Sequence, residues 1–183
     1  NWQRQTSPAY MSAWSRYRLG FIDPIILDNV TDTYVTILPT EEYEEAVAYI
    51  LPMNSHIPQE YLILENRQKI DSDQYLEESG LLVWHIDETI TDMYPALNSV
   101  NVNPDFYGVN LLQADGQGDL YTSSGTADFS DPYPSRISTM LTGSTNPNTN
   151  IYSYDRDADG VIETSGNSNI EIIDIEESDG MIT

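Results

Sequence analysis

The sequence predicts an α+β fold that is predominantly β, with one N-terminal helix followed by a mostly antiparallel sheet with long acidic loops. Three observations lead there. The stretches Glu60–Gln68 and Ser79–Glu88 alternate like strands, with Tyr61, Ile63, Glu65 and Arg67 on one face and Leu62, Leu64 and Asn66 on the other. Turn signals recur at short spacing from Phe21 to Asp87, at Asp28-Asn29, Pro39, Pro52–Pro58 and Asp71–Ser79, as in a meander. Clear helix punctuation is confined to the N-terminus.

In that segment Ser7 is placed to cap, Pro8 to occupy the first helical position and Gly20 to stop the helix after Leu19. Tyr10, Trp14 and Tyr17, with Met11 less regularly, share a face that reads as core packing. Phe21–Leu27 is a short strand interrupted by Pro24, which confines it to an edge or delays its start. Thr33–Leu38 alternates and is rich in β-branched residues. After the acidic turn at Glu41, Glu42, Glu44 and Glu45, Ala46–Leu51 continues as a strand. Gly108–Gln113 and Asn169–Ile175 are expected as further strands, with a last piece at Met181–Thr183. Asp115–Pro134 and Gly143–Ser153 read as long loops, which in a compact domain are functional, disordered or tied down by metal.

The strands at Glu60–Gln68 and Ser79–Glu88 both begin apolar and end in ionisable groups. On the second, Leu81, Val83, His85 and Asp87 oppose Leu82, Trp84 and Ile86. Glu65, Arg67, His85 and Asp87 are candidates for a buried polar network supporting a site built elsewhere. Antiparallel pairing need not bring them together, whereas a parallel or non-adjacent arrangement would.

The chain's 183 residues suffice for one core of ordinary size, so a single domain is expected. Thirty Asp and Glu against seven Lys and Arg give a net charge of −23, which argues against nucleic acid or an anionic membrane as partner and favours cations. There is no cysteine, hence no disulfide framework or thiolate chemistry. Apolar runs are too short for a membrane span, and no signal peptide is legible. The start at Asn1 without Met suggests a piece of a longer precursor. Asn29-Val30-Thr31 is a glycosylation sequon that matters only in a eukaryotic source.

The sharpest motif is Asp155-Arg156-Asp157-Ala158-Asp159-Gly160-Val161-Ile162-Glu163. Carboxylates at alternate positions can converge on one cation, and the glycine permits the sharp turn. The bidentate Glu of an EF-hand is missing, since Gly166 stands at the twelfth loop position, so a related calcium loop completed by Glu163 or by residues elsewhere is the expectation. A second acidic set comprises Asp115, Asp119, Asp128 and Asp131. Without basic partners such loops repel themselves unless solvent or a cation neutralises them, although Asp is also a common turn former beside Gly and Pro. Zinc is harder to place, because the chain has only His56 and His85, no Cys and no H-E-x-x-H. No G-x-S-x-G nucleophile elbow or phosphate-binding glycine loop is present.

SPAYMSAWSRYRLGF, EYLILENRQ, SGLLVWHIDE, GVNLLQADG with its following DL, and DPYP, in that order, resemble the later half of the catalytic region of the immune inhibitor A family of secreted bacterial zinc metallopeptidases. The resemblance runs from about Ser7 to the C-terminus, where NPNTN and NIEIIDIEESDGMIT are similar to the family's closing strands. It implies a secreted, bacterial setting and protein or peptide substrates. In the family the zinc-binding helix and the methionine-containing turn precede the segment matched here, so no zinc ligand or catalytic base is carried over. The acidic loop at Asp155 is longer than the short glycine-containing turn expected there. The resemblance implies the C-terminal part of a zinc endopeptidase, with zinc arriving only with the upstream segment; calcium, expected from the acidic loops themselves, would be an addition of this chain. Its partner would be that N-terminal zinc-binding half or another copy. The alternative is a non-catalytic calcium-binding module for adhesion or assembly.

Overall fold

The computed structural model describes residues 8–28, 31–41, 48–53, 60–93, 100–122, 125–155, 160–162 and 166–183. The described chain is a β-dominated α+β fold. A five-stranded sheet runs in the order β1 (Ile25–Ile26), β2 (Tyr49–Pro52), β3 (Glu60–Arg67), β4 (Gly80–Asp87) and β5 (Val109–Leu111). Neighbours pair antiparallel except β1 and β2, which run parallel. Among the described residues, two short α-helices, α1 (Ala13–Arg18) and α2 (Glu88–Met93), single 3-10 turns at Asp71–Asp73 and Asp119–Tyr121, and a hairpin of β6 (Glu177–Ser178) and β7 (Met181–Ile182) complete the regular structure.

The β3–β4 ladder is the spine, and every residue of β3 is buried. Burial on both faces covers its apolar residues Tyr61–Leu64 and also Glu60, Glu65, Asn66 and Arg67, which therefore need partners. One face carries Leu62, Leu64, Leu81 and Val83 under Leu112, Ala114, Tyr133, Leu141, Ile175 and Ile182 from the later loops. The other carries Tyr61, Ile63 and Ile86 under Ala13, Trp14 and Tyr17 of α1. The segments from Gly108 onward thus supply one wall of the core even though they hold little regular structure.

Three sequence expectations change. The N-terminal helix starts at Ala13, not Pro8. Ser12 is its cap, with Oγ accepting from the Ser15 amide at 3.3 Å, and the Tyr10 amide is instead held by Asp73 Oδ1 at 2.8 Å. Gly20, at φ +72°, stops it as expected. Thr33–Leu38 forms only a bridge between Ile37 and Ile182, in which both backbone bonds are made at 2.7 and 3.2 Å while the Asn66 side-chain amide also donates to the Ile37 and Gly180 carbonyls at 2.8 and 2.7 Å. Asn169–Ile175 likewise makes one bridge, Ile172 to Leu141, since Asn169 and Asp174 adopt left-handed φ of +58° and +53° at the two ends of the run.

Gly80 shows why the loop wall fits so closely. Its φ is +144°, and a Cβ there would sit 2.5 Å from the Tyr133 carbonyl oxygen. The Leu81 amide donates to that same oxygen at 2.7 Å. Glycine therefore lets the segment after Asp131 lie directly on β4. Among the described residues no helix is long and apolar enough to cross a membrane.

Candidate metal centre

The register separates the four ionisable strand residues. Glu60 pairs with Asp87 and Arg67 with Gly80, so Glu65 and Arg67 lie at one end of the ladder and His85 and Asp87 at the other, on opposite faces. All four are buried, and each pair recruits its own partners.

At one end, Glu65 accepts from Trp84 Nε1 at 2.7 Å, from the Ala13 amide at 3.0 Å and from Arg16 at 3.3 Å. Arg67 reaches Asp73 at 2.6 Å, Glu41 at 3.2 Å and the Tyr10 carbonyl at 3.1 Å. Burial, then the hydrogen bond shared with Asp73, pushes the Glu41 carboxyl up to about 7. Burial opposes ionisation of Asp73 too, but the Glu41 proton, the Tyr10 amide and Arg67 outweigh it and hold Asp73 below the usual range. This network pins α1 and the 71–73 turn to β3.

At the other end, His85 Nε2 lies 2.8 Å from Glu60 Oε1, which also accepts from the Tyr152 amide at 2.8 Å. The Tyr152 ring stacks on the imidazole at 4.1 Å and 11°. Asp87 caps α2 through the Thr89 amide at 3.0 Å and accepts from the Tyr154 hydroxyl at 2.7 Å. A general base must be within reach of its substrate. His85 is covered, so this end is a clasp for the 151–155 segment. The tyrosines lie some 70 residues from the strand in sequence, and only their aromatic character beside the Asp155 loop could have marked them.

Among the described residues, three members of the second acidic set converge. Carboxylate oxygens of Asp115, Asp128 and Asp131 lie within 4.8 Å of one another. Asp115 follows directly on Leu112 and Ala114, which are sunk in the core, and the Ala114 amide donates to the Asp131 carbonyl at 2.8 Å. That bond holds the two ends of the acidic loop side by side. Gly116, at φ +68°, turns the chain back so that the Gln117 amide donates to Asp115 Oδ1 at 2.9 Å. Asp131 is only 4% exposed. Its Oδ2 accepts from the Asp128 amide at 2.8 Å, while Oδ1 is buried with no hydrogen-bond partner. Asp119 also has a buried Oδ1 without a partner, although it falls outside the three-way convergence.

Among the described residues no Lys, Arg or His forms an ion pair with any of these four aspartates. Burial, then the charges of Asp119, Asp128 and Asp115, push the Asp131 carboxyl up to about 6. A buried acceptor facing like charges is costly unless a proton or a cation sits there. The donors are all oxygen, which suits a hard cation.

For the Asp155 loop, Asp157, Asp159 and Glu163 lie outside the described residues, as does His56; Asp155 Oδ2 accepts from the Gly160 amide at 2.9 Å. Among the described residues no second set of three metal-ligating side chains converges. His85 is held by Glu60, so these residues do not offer a three-ligand zinc site and no zinc-dependent step is assigned to them. A hollow of about 850 Å³ between segments 31–37 and 166–175 contains none of the predicted site residues. Comparison with protein-family models, curated proteins and solved structures gave no match.

Proposed function

We propose that this chain is a calcium-stabilised scaffold module and, in the setting its sequence resembles, the C-terminal part of a secreted zinc metalloendopeptidase of the immune inhibitor A type. In that role it forms cleft wall and support, and the zinc site belongs to a segment that precedes it. The carrying observation is the convergence of Asp115, Asp128 and Asp131 with the partnerless Oδ1 of Asp131. Calcium bound there ties the 115–131 loop to β5 and to the segment lying on β4. Calcium takes six to eight oxygens in flexible geometry, so waters and backbone carbonyls complete the shell.

Titration calorimetry of the chelator-treated chain tests the calcium site. Saturable binding is expected, and its absence at millimolar calcium would sink the proposal. The binding is expected to depend on pH. Calcium needs ionised Asp131, whose carboxyl is held up to about 6, so apparent affinity rises with pH through about 6 and levels off above it. In calcium-free protein the sign reverses. A carboxyl raised above its ordinary 3.8 contributes stability at low pH that is lost as pH rises through about 6. A calcium affinity flat from pH 5 to 7 would remove Asp131 from the site.

A second reading, a non-catalytic calcium-binding module for adhesion or assembly, is favoured by one observation: His85 is hydrogen-bonded to Glu60 and roofed by Tyr152. Zinc content and peptidase activity of the intact precursor separate the two. Bound zinc with peptide hydrolysis supports the peptidase, and a precursor without H-E-x-x-H leaves the module.

A further inference from the structure

The two edges of the sheet are finished differently. On the β5 side the Asn101 side chain imitates a neighbouring strand, donating to the Val109 carbonyl at 2.6 Å and accepting from the Val109 amide at 3.0 Å. The Tyr121 hydroxyl donates to the next outward carbonyl, that of Leu111. That edge is sealed by side chains.

Among the described residues, nothing covers the β1 edge in this way. Ile25 and Leu27 donate to Ala48 and Ile50 of the β2 side at 3.0 and 2.8 Å, so strand alternation turns the Ile26 amide and carbonyl away from β2. Ile26 is 63% exposed, and Ile25 and Phe21 are exposed beside it. Beneath Ile26 lies a hollow of about 170 Å³ walled by Tyr17, Ile50, Pro52, Tyr61 and Glu88, open on the α1 face. Glu88 accepts from Tyr61 at 2.7 Å, and Arg18 stands 3.8 Å from it but closer, at 2.8 Å, to Asp92. Asp23 and Asp28 flank the strand, both exposed and without an ion pair among the described residues.

We propose that the open edge of β1 accepts an extended segment of another polypeptide as an additional strand, and that this segment carries a Lys or Arg whose side chain enters the hollow at Glu88. The Ile26 amide and carbonyl supply the ladder bonds, Ile25 and Phe21 the apolar contact, and Asp23, Asp28 and Glu88 the preference for basic sequence. An acidic strand is repelled by the same three carboxylates and by the chain's net charge of −23.

The test uses two synthetic peptides of equal length, one alternating Val with Lys and the other Val with Glu, titrated against the chain by fluorescence anisotropy. The Lys peptide is expected to bind saturably and about tenfold or more tightly than the Glu peptide. Ile26→Pro removes only the outward amide, at an edge position where proline is tolerated, and is expected to weaken the Lys peptide about tenfold at unchanged Tm. Glu88→Gln is expected to narrow the gap between the peptides. No saturable binding, equal binding of both peptides, or full binding by a folded Ile26→Pro variant would overturn the proposal. So would a concentration-dependent dimer of the chain that Ile26→Pro abolishes, since the occupant would then be a second copy. Should the proline variant fail to fold, hydrogen exchange at the Ile26 amide decides: slowing by the Lys peptide supports strand addition, and an unchanged rate overturns it.

Discussion

Asp131→Asn is expected to abolish the calcium-dependent rise in Tm and, in chelator, to leave the protein as stable as the wild type or more so. The two signs come from one geometry. With calcium, the wild type gains about 2.7 kcal/mol when free calcium is a hundred times Kd. For a chain of this size each kcal/mol moves Tm by about 2–4 °C, so the rise is about 5–11 °C. Asparagine keeps the side chain's shape and can still accept from the Asp128 amide, but it removes a charge that the ion needs. Without calcium that charge is a liability, because Asp131 is buried against three other aspartates with Oδ1 unpartnered. Differential scanning calorimetry of both proteins with and without calcium reads both effects. An equal rise in wild type and variant would place the ion elsewhere, and a rise lost in Asp155→Asn but kept in Asp131→Asn would place it in the Asp155 loop.

The second acidic set marks how far the sequence could be read. Spacing alone favours Asp155, Asp157 and Asp159, since alternate carboxylates before a glycine form a local device. Asp115, Asp128 and Asp131 come together only because the Ala114 amide bonds the Asp131 carbonyl, a contact between positions that no period connects. The strands on the spine were legible because their side chains alternate between two faces around short apolar runs, Tyr61–Leu64 and Leu81–Trp84. The strands at Thr33–Leu38 and Asn169–Ile175 had the right composition but not the backbone. The first keeps only the Ile37–Ile182 bridge, where the Asn66 side-chain amide shares the Ile37 carbonyl, and the second is broken by left-handed Asn169 and Asp174; neither feature is visible in hydrophobic pattern. α2 was missed because its cap, Asp87, reads as a strand residue until the chain turns. Glu65, Arg67, His85 and Asp87 are all buried, and the antiparallel register distributes them between two networks.

Arg67→Met tests whether the larger of those networks holds the N-terminal segment in place. Two guanidiniums, Arg16 and Arg67, face Glu41, Glu65 and Asp73, and the proton retained by Glu41 leaves the group near electrical balance at neutral pH. Methionine fills similar space without charge, so Asp73 and Glu41 lose their cation while remaining buried, and the Tyr10 carbonyl loses a donor. Removing one partner of a buried ion pair costs about 3–5 kcal/mol. That is a large part of the 5–15 kcal/mol typical of a whole domain. The urea midpoint is therefore expected to fall steeply, with proteolysis opening first in segment 8–18. The loss should shrink as pH drops from 7 towards 5, because Glu41, raised to about 7, becomes protonated there and no longer needs the guanidinium. The wild type gives the sign of each contribution. The raised Glu41 contributes stability that is full below its ordinary 4.5 and gone above about 7, whereas the lowered Asp73 contributes stability above its ordinary 3.8 that is lost as pH falls. A midpoint within error of wild type at pH 7 would show that these side chains are solvated in the native protein and that α1 is held by Ala13, Trp14 and Tyr17 alone.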